Sequence, residues 1–276
     1  MAAVVSNTYG RVHAHEGFSD DNLARESKGM GLITTVYMEA TAFYTKGVLP
    51  HLRPVGETEH VAAVCAKTRG TLCRGTVAMI DLALPREQVL EALAAHRKAL
   101  EGSGCVLGGV RLRIAHDALN EVVSAARYGL AHDAQVQENA RLMGSEGLVV
   151  DVWLYHTQLD DLYRLAASAP GTTFVCDHIA TPIRVASRAE RLEAVWDEWC
   201  KGMARLAELR NVVVKFGGLT MQVGGLTKDA PYASSELARV LQPWFDVVAV
   251  ELFPGRVMME SNFPSALVPQ RHDGKD

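Results

Sequence analysis

The sequence lacks a basic block. Its 28 Lys and Arg are outnumbered by 32 Asp and Glu, giving a net charge of −4 over 276 residues. A nucleic-acid surface normally needs clustered positive charge, so that class of partner is not expected. Long apolar runs are missing too. Although 48% of the residues are hydrophobic, no stretch approaches the ~20 residues of a membrane span. The opening MAAVVSNTYG has no charged region leading into an apolar one, so it does not read as a signal peptide. The five cysteines (Cys65, Cys73, Cys105, Cys176, Cys200) form no C-x-x-C pair, which argues against a zinc ribbon and a disulfide framework. Reduced thiols and a cytoplasmic location are the expectation.

Two further absences narrow the function. No strand runs into a G-x-G-x-x-G loop, since GGLTMQVGGL lacks that order, and a nucleotide-dependent oxidoreductase is left without its phosphate site. No linker or low-complexity segment divides the chain. The expectation is one domain over 1–276, most clearly defined over 32–264.

What is present is an alternation. Seven β-rich runs recur: Leu32–Ala40, Gly75–Leu82, Gly108–Ala115, Leu148–His156, Thr172–Ile179, Asn211–Leu219 and Arg256–Phe263. Between them lie segments with helical spacing. PREQVLEALAAHRKALEGSG sets Val89, Leu90, Leu93 and Leu100 roughly on one face; TQLDDLYRLAASAPG does so with Leu159, Leu162, Tyr163 and Ala166. ASSELARVLQPWFDVVAVEL offers Ser234 and Ser235 as N-caps and reads as interrupted at Pro243. Alternating strands and helices imply a parallel sheet, and apolar strands with polar ends suit a (β/α)8 barrel whose site lies on its C-terminal rim.

Several residues could carry chemistry there. His156 and His178 close consecutive strand runs, and neighbouring parallel strands lie about 5 Å apart, so the two rings could share one pocket. His13 and His15 form an H-x-H pair whose side chains would point the same way on a strand, which suits a single metal or a single substrate. His116 and Asp117 follow another strand. Lys215 interrupts an apolar strand, and an unpaired buried lysine would cost several kcal/mol, so it should face a polar mouth or meet a carboxylate. Arg111 and Arg113 share a strand face; either could hold an anionic group, or both could pair with acids.

Five strings together, LRPVGETEHV, GLVVDVWLYHTQLDDLYRLA, PGTTFVCDHIATP, NVVVKFGGLTM and GRVMMESNFP, resemble the amidohydrolase-related family of metal-dependent hydrolases, in its lactonase-like branch of TIM barrels. The resemblance covers about Leu32 to Pro264. It implies a hydrolase in which water attacks a lactone or amide carbonyl at the barrel mouth. The family builds this site from an H-x-H pair, histidines on the fifth and sixth strands and an aspartate on the eighth. Carried over by motif, His156 and His178 are the catalytic histidines, Asn262 stands in the aspartate's loop, and His13, His15 and His178 are the metal ligands. Arg111, Lys215 and Gln158 fall at substrate-binding positions. One divalent ion, zinc or manganese, is implied, although the branch also includes members that work without one. The expected partner is a small-molecule lactone or carboxylate, with a homo-oligomer as a further expectation.

The chain departs from the pattern at both ends. SNFPSAL puts Asn262 and Ala266 where relatives carry a carboxylate, and asparagine cannot accept a proton at neutral pH. Glu260 is near, but two positions along a strand is roughly 7 Å. The alternative function is therefore a catalytically impaired relative that binds a small carboxylated ligand or a partner. Only a short segment separates HAH from Leu32, and VPQRHDGKD replaces a final helix. A barrel incomplete at its first βα unit and last helix would expose a sheet edge, lowering stability unless a partner chain covers it.

Overall fold

The computed structural model describes residues 2–6, 20–226 and 233–262. Eight strands form one all-parallel sheet in sequential order: β1 (Ala2–Ser6), β2 (Thr34–Met38), β3 (Gly75–Met79), β4 (Val106–Arg113), β5 (Val149–Trp153), β6 (Phe174–Cys176), β7 (Val212–Phe216) and β8 (Val257–Met259). The eighth is β1, which the seven β-rich runs of the sequence omit. The helices between them are α1 (Asp20–Glu26), α2 (Val55–Lys67), α3 (Arg86–Leu100), α4 (Ala134–Ser145), α5 (Leu159–Ser168), α6 (Leu192–Ala207) and α7 (Ser234–Phe245). The sheet curls into a TIM-type barrel and β1 comes round against β8. Among the described residues that seam carries none of the register pairing that joins every other neighbouring pair. The barrel is thus incomplete. Among the described residues, α1 has seven residues, against 10 to 16 in the other helices. The expected lack of a final helix concerns residues 263–276, outside the described ones.

Strand alternation divides the side chains into two layers. Val110, Leu112, Val150, Val152, Phe174, Val212 and Val214 point outward and are buried against the apolar stripes of the helices. Those stripes follow the helical repeat: Val89, Ala92, Leu93, His96 and Leu100 on α3, and Val195, Trp199, Met203 and Leu206 on α6. Leu90, expected on the α3 stripe, is exposed because it lies about 100° round from Val89. α7 begins at Ser234 with Ala233 as its cap residue, so neither serine caps it. Nor does Pro243 end it: the helix runs through to Phe245 and continues as a π-type turn over Asp246–Leu252.

The alternate strand residues point inward. Val36, Met38, Val77 and Met258 form a small apolar plug. Above it the interior is ionic. Lys215 on β7 reaches Met38 Sδ on β2 at 3.3 Å, a contact across the curled sheet rather than along it. All five cysteines are unpaired. Among the described residues, no helix is long and apolar enough to cross a membrane.

Candidate active site

The ionic layer starts from strand register. Arg111 on β4 lies directly opposite Asp151 on β5, and both point into the barrel. The guanidinium donates through Nε to Asp151 Oδ1 at 2.8 Å, and its Nη2 lies 3.0 Å from Asp177 Oδ2. Lys215 Nζ lies 2.5 Å from Asp151 Oδ2 and 3.2 Å from Asp177 Oδ1. Two cations and two carboxylates thus alternate in a closed quartet that is at most 3% exposed. Removing charges from water is costly, and only such mutual pairing makes the arrangement tolerable. Burial disfavours the charges of Arg111, Lys215 and Asp177, but their neighbours outweigh it: Arg111 and Lys215 are pushed up, and Asp177 is held well below the usual carboxylate range by Arg111, His178 and Lys215. At the rim above, Arg113 grips Glu39 through Nε at 2.9 Å and Nη2 at 2.6 Å.

His178 joins the quartet through an unusual turn. β6 stops at Cys176, and His178, Ile179, Ala180 and Thr181 all have positive φ, between 39° and 62°. Non-glycine residues resist that region by about 1–2 kcal/mol each, so the surroundings must hold the turn in place. Trp199 on α6 donates its indole N–H to Ile179 O at 2.8 Å, and Thr181 N–H donates to His178 O at 2.8 Å. The turn swings the His178 ring toward β8, where Nδ1 hydrogen-bonds Glu260 Oε1 and Nε2 lies 3.5 Å from Asp177 Oδ2. Two glycines clear the space. A Cβ on Gly217 would sit 2.3 Å from Glu260 Cγ, and one on Gly218 (φ 73°) would sit 2.6 Å from His178 Cβ. This accounts for the GG that follows Lys215.

Burial pulls the His178 pKa down, but Asp177 and Glu260 outweigh it and leave it raised. Glu260 is itself raised, chiefly by burial, with His178 opposing the rise. With His178 protonated, three cations (Arg111, Lys215, His178) face three carboxylates (Asp151, Asp177, Glu260). Glu260 Oε2 has no hydrogen-bond partner among the described residues, nor has either amide atom of Asn262, which is 1% exposed.

The other sequence-predicted residues lie elsewhere or serve the frame. His156 opens a 3-10 turn after β5, and its Nδ1 accepts from Ile183 N–H at 3.3 Å. Its Nε2 faces Glu198 on α6 at 3.8 Å. Burial, with Arg188 nearby, lowers its pKa to about 4, so this ring is neutral. The His156 and His178 rings share no hydrogen-bond or ion-pair partner among the described residues. Gln158 spends its amide on backbone, donating to Ile114 O at 2.8 Å and accepting from His116 N–H at 2.9 Å. Asp117 is held by Arg188 at 2.8 Å. His13 and His15 lie outside the described residues. Sequence reasoning passed over Asp151 and Asp177. Each carries a signal: an acid inside the apolar run VVDVW, and an acid directly before a strand-end histidine.

Residues 36–275 match the sequence profile of the family described as Amidohydrolase. The chain belongs to the amidohydrolase family. Its class is therefore that of hydrolases. No curated protein matches the sequence. Among solved structures, the barrel is similar to an amidohydrolase from Burkholderia multivorans with bound HEPES: 20% identity and a TM-score of 0.69, covering 96% of this chain and 85% of that one. A second crystal form of that amidohydrolase contains zinc (20% identity, TM-score 0.69, 99% and 88% covered). A candidate 2-pyrone-4,6-dicarboxylic acid hydrolase from Acinetobacter baumannii, with citric acid bound, is similar at 11% identity and a TM-score of 0.58, covering 96% and 85%.

Asp177, His178 and Glu260 offer ligand atoms within 4.8 Å of one another, and carboxylate and imidazole are suitable donors for zinc or manganese. As arranged, however, both Asp177 oxygens are committed to Arg111 and Lys215, and His178 Nδ1 is committed to Glu260. A divalent ion among them would crowd two buried cations. This trio, as it stands, does not fit a metal.

Proposed function

We propose that this amidohydrolase opens a lactone or related cyclic ester by attack of water at the C-terminal rim of its barrel, acting in the cytoplasm on a small molecule. One observation carries the reading: the buried Glu260 carboxylate at the end of β8, bonded to His178 through Oε1 and unpartnered at Oε2 among the described residues. It supplies the proton acceptor that Asn262 cannot be. In this reading Glu260 takes a proton from water as the oxygen attacks the carbonyl carbon, and its raised pKa makes it a stronger base than an exposed carboxylate. Protonated His178 favours the negative charge that develops on the carbonyl oxygen. The ring carbon–oxygen bond then breaks, the leaving oxygen takes the proton from Glu260, and a hydroxy acid is released.

Arg111 and Lys215 act through Asp177 and Asp151, pairing with both carboxylates beside His178 rather than gripping substrate themselves. His156 and Gln158 hold the loops that flank the mouth. The similarity to a candidate pyrone-dicarboxylic acid hydrolase supports a cyclic ester as the substrate class. No step is assigned to a metal.

The second reading, an impaired member that binds a small carboxylated ligand without turning it over, is favoured by Asn262 in place of the family's aspartate. A pH-indicator assay against sugar lactones and pyrone carboxylates, with and without zinc or manganese, separates the two. Turnover by the intact chain that is lost in both Glu260→Gln and His178→Ala is the expected result. Saturable ligand binding with no turnover supports the second reading. Turnover unchanged by Glu260→Gln removes this residue from the chemistry.

A further inference from the structure

On the outside of the barrel, away from the ionic quartet, an open groove of about 470 Å³ runs between α6 and α7. Its floor is aromatic. Trp196 and Trp244 meet edge to face with centroids 4.7 Å apart, and the fully buried Trp199 backs Trp244 at 4.6 Å. Leu192 and Pro243 form apolar walls. Glu193 and Asp197, four residues apart on α6 and both exposed, set two carboxylates on one side. Arg184 also lines the groove, with its guanidinium carbon 5.7 Å from the Trp244 ring centroid, and it donates to Gly224 O at 3.3 Å. The groove already accepts one guanidinium over an indole ring, and two carboxylates line the same groove.

We propose that this groove is a binding site for a small molecule with a guanidinium head. A planar guanidinium can stack on tryptophan and present paired N–H groups to a carboxylate at the same time. The volume falls in the ordinary range for small-ligand sites. Charge complementarity selects the cation: two acids line the groove against one resident arginine, and that resident's guanidinium carbon lies over the Trp244 ring. None of the groove's lining residues is assigned to hydrolysis; the two sites meet only through Trp199, which backs Trp244 and also donates to Ile179 O in the His178 turn.

Tryptophan fluorescence tests it directly, because three of the four tryptophans belong to this cluster and only Trp153 lies elsewhere. The intact chain is titrated at constant ionic strength with agmatine, an alkylguanidinium, and with a neutral alkylurea of similar length. A saturable change with agmatine and none with the urea is expected. Glu193→Gln combined with Asp197→Asn should weaken agmatine by about fivefold or more, the loss expected for two exposed ion pairs. Arg184→Ala should tighten it by vacating the Trp244 face. Far-ultraviolet dichroism checks that each variant folds, and Asp197→Asn alone replaces the double variant if that fails. No saturation with agmatine, an equal response to the urea, or undiminished affinity in the carboxylate variants overturns the proposal.

Discussion

At the end of β5 the His156 ring is enclosed by Ile183, Arg188 and Glu198, and burial drives its pKa to about 4. At the end of β6 the His178 ring is equally buried, yet Asp177 and Glu260 reverse the effect and raise its pKa. Both residues follow the ends of neighbouring strands, His156 three positions after Trp153 and His178 two positions after Cys176, so lying just past a strand end does not distinguish them. The difference comes from which way the chain leaves the strand. After β5 it enters a right-handed 3-10 turn that aims His156 outward toward α6; after β6 it makes four left-handed steps that turn His178 back into the barrel.

The largest expected contrast between the two positions is in rate. If turnover is detected, Glu260→Gln and His178→Ala should each lower kcat by about 10²–10⁴-fold, the usual consequence of losing a proton-transfer group. His156→Gln should remain within about tenfold of wild type, since the ring acts on loop placement. Equal losses at both histidines would erase the distinction.

Next in size is stability. Asp151→Ala leaves Lys215 and Arg111 short of a carboxylate inside the barrel and should cost about 3–5 kcal/mol in urea denaturation. Removing Glu198, which is exposed at 57% and only faces His156, should change stability by less than about 1 kcal/mol.

The third test is pH. His156 and His96, both lowered to about 4 by burial, bind protons more readily in the unfolded chain. Their contribution is therefore complete above the ordinary value of 6.5 and is lost as pH falls toward 4, by up to about 3 kcal/mol per ring. His178 has the opposite sign: its contribution is present below 6.5 and is lost only as pH rises through its raised pKa. Imidazole carbon-bound proton shifts followed against pH should show His178 still charged where His156 is neutral.

The smallest effect lies at Glu57, buried under the loop after β2. Burial, with Glu39 adding to it, raises its pKa from 4.5 to about 7, although Tyr37 Oη–H and the Ala40 and Ala42 N–H groups all donate to its Oε1. The stability it contributes is present below pH 4.5 and is lost as pH rises through 7. Glu57→Gln retains an acceptor for those donors and should gain about 1–2 kcal/mol over wild type at pH 8 but not at pH 4. Melting curves at the two pH values check the sign.

Much of this frame is legible in the sequence because strand and helix periods are local. Six of the seven β-rich runs contain an observed strand and the seventh, Gly108–Ala115, starts two residues into β4; the rule that a buried lysine needs a counter-charge anticipates the kind of neighbour Lys215 has. Asp151 escapes notice because its meaning comes from register: it matters only once β4 lies beside β5 and sets Arg111 opposite it. Distance along its own strand argues against Glu260, yet the left-handed turn brings His178 to it from another strand. No run of CDHIAT advertises positive φ, since none of these residues is glycine. The tertiary hydrogen bond from Trp199 helps to hold them there. The GG after Lys215 was visible, but its purpose lies in side chains that arrive from β6 and β8.

That left-handed turn makes the histidine untransplantable by itself. An engineer who moves His178 onto another barrel must also carry the indole that clamps Ile179, the twin glycines that leave room, and the carboxylate waiting across the gap. Four segments of chain would have to travel as one cassette, and a library that varies any one of them alone should return mostly inert proteins.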